Sequence, residues 1–189
     1  MASASPRRKE LLKQLVETFE IIPAQGEETA NGLTGAKLVE TLAAQKAAEI
    51  ASLPQAKGKA VLGADTIVCL DGKVLGKPKD EEEAKRMLSA LSGREHEVFT
   101  GVCISYPDGD GRKTLVASDC TSVYFETLSA SQIEAYVKTG SPMDKAGAYG
   151  IQDGGLVRAI GGSMSNVIGL PIELCKRMMD GAGIRRKGK

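Results

Sequence analysis

Within Ser3-Ala4-Ser5-Pro6-Arg7-Arg8-Lys9 the chain sets two hydroxyls and three cations around an expected helix start. Pro6 suits the first helical position, where a missing N–H costs nothing, and Ser5 before it is a favoured N-cap. Free N–H groups at such an end attract anions, and the helix dipole adds to the attraction. Arg7 and Arg8 supply forked donors that match phosphate oxygens. Both oppose the dipole at this end, a conflict that a functional site would produce. A solvated basic first turn is the competing reading.

Asp65 is the sharpest single residue. It stands in Val61-Leu62-Gly63-Ala64-Asp65-Thr66-Ile67-Val68, a nearly unbroken apolar run. Burying a lone carboxylate there is expensive, so a cation or metal partner is expected. An aspartate at a strand end that accepts backbone hydrogen bonds is the alternative. Gly63 and Ala64 leave room beside it for a ligand. Such a carboxylate could deprotonate water, or ligate a metal that acidifies it. His96 is the one histidine. Acid–base work therefore falls to carboxylates, and any metal would be a hard cation held by oxygen.

Weaker candidates surround these two. Glu27-Glu28 follow Gly26 in a loop, where a solvated acidic turn is the default. Lys46 lies on the apolar side of an Ala-rich helix, as a snorkelling side chain or a phosphate ligand. Pro78 forces Lys77 into an extended conformation, which fixes where its side chain points. The segment Lys145-Ala146-Gly147-Ala148-Tyr149-Gly150-Ile151-Gln152 combines small residues with one cation and one amide. Small residues let a ligand approach the backbone, and Gln152 can both donate to and accept from a base edge. An ordinary mobile loop has the same composition. Neither a Walker A loop nor a GxGxxG fingerprint is present.

The elements that must position these groups follow from periodicity. Leu11, Leu12, Leu15, Val16 and Phe19 continue a helix from Ser5-Pro6, and 19–23 reads as a short strand. A Gly- and Glu-containing loop at 24–33 precedes an Ala-rich helix over about 34–53. Residues 60–70 read as a buried central strand, and Asp71-Gly72 as a hairpin turn into 73–75. Asp80 caps a helix that Gly93 ends. Strands are expected over 98–106 and 113–125, joined at 107–111. Ser129 caps the next helix, a Gly-rich loop fills 140–155, and 156–160 is a further strand. Pro171 starts the last helix. The pattern gives an α/β or α+β protein with a mixed sheet, treated as a single domain over 1–189.

The charge balance bounds the partners. A net charge of +1 provides no global field for nucleic acid or membrane, so any anion site is local. Only 4% of residues are aromatic, which with that charge argues against a nucleic-acid-binding module. The basic tail Arg185-Arg186-Lys187-Gly188-Lys189 reads as a solubilising end. Cys69, Cys103, Cys120 and Cys175 form no CxxC pair and read as buried free thiols of a reducing compartment. No run is apolar and long enough to span a bilayer, and no signal-peptide pattern opens the chain. A cytoplasmic location is expected.

Taken together the motifs resemble the Maf family of nucleotide pyrophosphatases. They run in order over almost the whole chain: Ala2-Ser3-Ala4-Ser5-Pro6-Arg7-Arg8, Gly63-Ala64-Asp65-Thr66, Gly76-Lys77-Pro78, Leu91-Ser92-Gly93-Arg94-Glu95-His96-Glu97-Val98 with Thr100-Gly101-Val102, residues 145–152, and Asn166-Val167-Ile168-Gly169-Leu170-Pro171. The resemblance implies an α/β fold with a mixed twisted sheet, flanking helices and two lobes around a cleft, as in inosine-triphosphate pyrophosphatases. It implies hydrolysis of a nucleoside triphosphate to monophosphate and pyrophosphate with Mg²⁺ or Mn²⁺. Asp65 falls where the family has its proton acceptor. Arg8, Thr66 and Gln152 match the branch acting on dTTP and UTP rather than on 7-methyl-GTP. Ser5, Arg7, Lys46, Lys77 and Lys145 match substrate contacts, and Glu28 with Asp65 the metal side. The family usually opens with an apolar strand, here Met1-Ala2 alone, so a shortened or missing edge strand is expected. An Asp-Glu pair is more usual where this chain has Glu27-Glu28. A nucleotide-binding regulator of septum formation with incidental hydrolysis is the competing function. A homodimer is one assembly left open.

Overall fold

The computed structural model describes residues 1–30 and 32–188. Asn31, in the loop expected at 24–33, and Lys189, the end of the basic tail, lie outside the described residues. Eleven elements frame the site: α1 (Pro6–Leu12), α2 (Gly35–Ala51), β1 (Val61–Leu70), β2 (Lys73–Leu75), α3 (Glu81–Leu91), β3 (Glu95–Asp108), β4 (Gly111–Phe125), α4 (Ala130–Lys138), β5 (Val157–Gly161), α5 (Met164–Ile168) and α6 (Ile172–Gly181). The five strands form one sheet in the order β2-β1-β3-β4-β5.

The expected α/β layering with flanking helices is present, but the sheet is not mixed. All four pairings among the described residues are antiparallel. Tight hairpins explain two of them. Asp71 (φ +51) and Gly72 (φ +74) turn β1 into β2, and Gly109 (φ +57) turns β3 into β4. The apolar run 60–70 is therefore an antiparallel strand covered by helices on both faces, second from one edge rather than central.

Alternation sorts the side chains of β1. Gly63, Asp65, Ile67 and Cys69 face α2, whereas Leu62, Ala64, Thr66 and Val68 face the remaining helices. On the α2 face two glycines set the spacing. A Cβ on Gly63 would meet the Ala43 carbonyl oxygen at 2.3 Å, and one on Gly101 the Val39 carbonyl oxygen at 2.2 Å. The helix thus packs backbone against backbone, with Ala43 and Ala47 fully buried. On the opposite face lie two clusters. One gathers Leu88, Leu91, Val98, Phe125 and Val137; the other gathers Leu12, Leu15, Val102, Ile104, Leu170 and Met179.

Several local expectations need correction. Helix α1 stops at Leu12, because Leu15 turns into the core through a turn in which its N–H meets Leu12 O. No strand forms over 19–23. Instead the Met1 ammonium donates to Glu20 O, and Ile22 N donates to Met1 O. After the turn at 161–163 a short helix, α5, forms, because Ser163 Oγ accepts from Asn166 N and caps it. The Gly-rich loop contains three single 3-10 turns, Ser141–Asp144, Ala146–Ala148 and Ile151–Asp153. Of the four free cysteines Cys120 is exposed, since α2 covers mainly β1 and β3 and leaves this part of β4 open. Among the described residues no helix is long and apolar enough to cross a membrane.

Candidate active site

The outer edge of β1 is interrupted. At one end Ala2 N donates to Leu62 O, and at the other β2 pairs from Val68↔Leu75 onward. Between them no strand among the described residues pairs with that edge, and a cleft of about 680 Å³ opens there. The ten residues that the family resemblance assigns to base, substrate or metal all line it: Ser5, Arg7, Arg8, Glu28, Lys46, Asp65, Thr66, Lys77, Lys145 and Gln152. Five cationic side chains (Arg7, Arg8, Lys46, Lys77, Lys145) face three carboxylates (Glu28, Asp65, Asp144) in the lining. That surplus supplies the local anion field that the near-neutral chain as a whole lacks.

Because Asp65 and Thr66 are consecutive on a strand, they point to opposite faces, and the site wraps around the sheet edge. On the α2 face Lys46 Nζ lies 2.5 Å from Asp65 Oδ1 and 2.9 Å from Glu28 Oε1. The Asp65 side chain retains 13% of its exposure. It is neither sealed in the core nor unpaired, and the expected cation partner is Lys46. Lys46 leaves Asp65 Oδ2 to be approached from the cleft.

On the other face α1 delivers Arg8. Ser5 Oγ accepts from Arg8 N at 3.4 Å, as an N-cap should. The guanidinium donates to Thr66 Oγ1 (2.9 Å), Gly169 O (2.8 Å) and Ser3 Oγ (3.1 Å). Burial pushes the Arg8 pKa down, against the pull of the Asp65 charge. Arg7 points the other way and pairs with Asp144 at 3.1 Å.

The third wall is the segment around 140–155. Lys145 Nζ donates to Ser141 O and Oγ and lies 2.8 Å from Asp144 Oδ1. Burial disfavours the charge on Asp144, but bonds from Lys145 and Arg7 outweigh it and hold its pKa below the ordinary value. Tyr136 Oη donates to Asp153 Oδ2 and accepts from Gly150 N at 3.0 Å, which anchors the turn carrying Gln152. Burial, then the bond to Asp153, pushes the Tyr136 phenol up to about 12. Gly147 N donates to Gly76 O at 3.0 Å, so the wall is tied to the strand end that presents Lys77.

Sequence reasoning missed Asp144, Thr100 and Asn166 as parts of this site. Thr100 and Asn166 sit inside the motifs quoted above, but only the fold shows what they touch. Asp144 carried no local signal beyond its place before Lys145.

An α/β fold with an open sheet edge and a cationic cleft around a paired carboxylate defines a site for a phosphorylated ligand. The chain belongs to the Maf-like proteins, whose family model matches residues 1–182. Similar curated proteins carry the name dTTP/UTP pyrophosphatase. The one from Pelotomaculum thermopropionicum is 47% identical over 175 residues, covering 91% of this chain and 90% of that protein. Those from Ruminiclostridium cellulolyticum and Thermococcus gammatolerans are each 46% identical. They align over 184 and 182 residues and cover 95% of this chain, with 93% and 94% of their own lengths.

Proposed function

We propose that this chain hydrolyses dTTP and UTP to the monophosphate and pyrophosphate. The observation that carries the reading is Asp65, partly exposed in the cleft and paired with Lys46, in a lining it shares with Arg7, Lys77 and Lys145. The names of the relatives favour the same activity and the same two substrates.

A water held at Asp65 Oδ2 would attack the α-phosphorus. Its proton passes to the carboxylate as the bond from the α-phosphorus to the bridging oxygen breaks, and the electron pair leaves on pyrophosphate. Arg7, Lys46, Lys77 and Lys145 neutralise the triphosphate and the departing group, where charge develops most. The Ser5 hydroxyl adds a neutral donor. Arg8, Thr66 and Gln152 select the base.

Glu28 and Asp65 suit a divalent cation. One oxygen of each already converges on the single point taken by Lys46 Nζ, at 2.9 and 2.5 Å. Among the described residues no group of three or more acidic, His or Cys side chains forms. Two carboxylates completed by phosphate oxygens and water is a set that Mg²⁺ accepts, and Mn²⁺ favours similar oxygen ligands. When bound, such an ion supplies charge neutralisation and a more acidic water.

The test is pyrophosphate release from a nucleotide panel by wild type and Asp65→Asn, with and without Mg²⁺. The variant should lose about 10²–10⁴ in rate, the usual worth of a general base. Turnover of UTP by Asp65→Asn at the wild-type rate would refute the assignment, and nucleotide binding without turnover by wild type would favour a regulator.

A further inference from the structure

We infer that Thr100 and Asn166 fix the polarity of Thr66, making its hydroxyl an obligate acceptor that reads the N3–H of uracil or thymine and turns away cytosine. Arg8 Nη2 lies 2.9 Å from Thr66 Oγ1, and a guanidinium only donates. Thr100 Oγ1 lies 2.9 Å from Asn166 O, and a carbonyl only accepts. The two threonine hydroxyls are 2.9 Å apart. Thr100 commits its one proton to Asn166, so between the hydroxyls Thr66 must donate.

Thr66 has then spent its proton, and one of its two acceptor positions holds the Arg8 proton. One acceptor position remains, on a residue that lines the cleft. A uracil or thymine imide offers a donor at N3, whereas cytosine offers an acceptor there and would face oxygen with a lone pair.

The polarity is locked by burial. Thr100 and Asn166 are both 0% exposed, so water does not reorient them. The Asn166 amide donates to Val98 O (2.9 Å) and Thr121 Oγ1 (3.0 Å), which pins α5 to the sheet. Three residues on, Gly169 O accepts from Arg8 Nε and closes the ring of bonds. Gly169 (φ +118) is where a Cβ would come within 3.3 Å of Thr66 Oγ1, so glycine keeps the ring open.

The inference rests on the pyrimidine reading above for its choice of base. The test is equilibrium binding of UMP, CMP and N3-methyl-UMP, run beside pyrophosphate release from UTP and CTP. Wild type should prefer UMP over both others by about tenfold or more, the scale of one hydrogen bond. Thr100→Val frees the Thr66 proton and should carry the UMP-to-CMP ratio toward one by tightening CMP. Thr100→Ser keeps the hydroxyl and should keep the ratio. A merely structural role would weaken all ligands together and leave the ratio unchanged, which overturns the inference. So does equal binding of UMP and N3-methyl-UMP by wild type, an arm that depends on no variant folding. A UMP preference without pyrophosphate release sinks the hydrolase reading and leaves the relay standing. Release from UTP and CTP alike, with equal binding, does the reverse.

Discussion

Gly63→Ala probes the link between packing and catalysis, because the same helix that lies on Gly63 carries Lys46. The new Cβ would sit 2.3 Å from Ala43 O, 2.9 Å from Ala47 N and 3.0 Å from Ala47 Cβ. Two of these three neighbours are backbone, so no side chain can rotate away. Restoring an ordinary 3.4 Å contact with Ala43 O requires a displacement of about 1.1 Å. If α2 moves rigidly away from β1, Lys46 Nζ leaves Asp65 Oδ1 by a similar amount, and the 2.5 Å pair opens beyond hydrogen-bonding distance. Overpacking of this kind costs about 1–3 kcal/mol, or roughly 2–12 °C in unfolding midpoint for a chain of this size. A misplacement near 1 Å at a reacting centre costs on the order of 10²-fold in rate. Thermal unfolding followed by circular dichroism, beside pyrophosphate release from UTP, measures both. A variant with the wild-type midpoint and turnover would show that α2 does not set the Lys46–Asp65 geometry.

Two further outcomes test the scaffold. Ser129 Oγ accepts from Gln132 N while Gln132 Oε1 accepts from Ser129 N, a reciprocal cap whose two residues are outside the cleft lining. Ser129→Ala should cost about 1 kcal/mol in urea unfolding and leave turnover unchanged. Burial lowers the His96 pKa from 6.5 to about 4, so the folded protein resists a proton that the unfolded chain accepts. Stability is then full above pH 6.5 and falls as the pH drops toward 4, by about 2 kcal/mol at pH 5. His96→Phe should flatten that limb in urea titrations at pH 7 and pH 5, and an unaltered slope would show that His96 is not its source.

Much of this site was legible in the chain because its signals are local. Ser5 before Pro6 is a cap wherever it occurs, and it does hold Arg8 N. A carboxylate in an apolar strand needs a cation, and Lys46 answers for Asp65. Asp71-Gly72 and Asp80 fixed a turn and a helix start through their own backbone chemistry. The extent of α1 and the absence of a strand over 19–23 were not legible. Both depend on where Leu15 and Met1 find partners in the tertiary fold, which outweighs local propensity.

Residue types settle which side chains are available, and strand alternation makes Asp65 and Thr66 face opposite ways. Long-range packing, in contrast, keeps the β1 edge open between Ala2 and β2 and sets α2 close enough to bring Lys46 to Asp65. It alone joined Arg8, Thr66, Thr100 and Asn166 into one directed chain. Those side-chain contacts link residues 19 to 66 positions apart. No local propensity encodes such pairings; the burial of the whole core sets them.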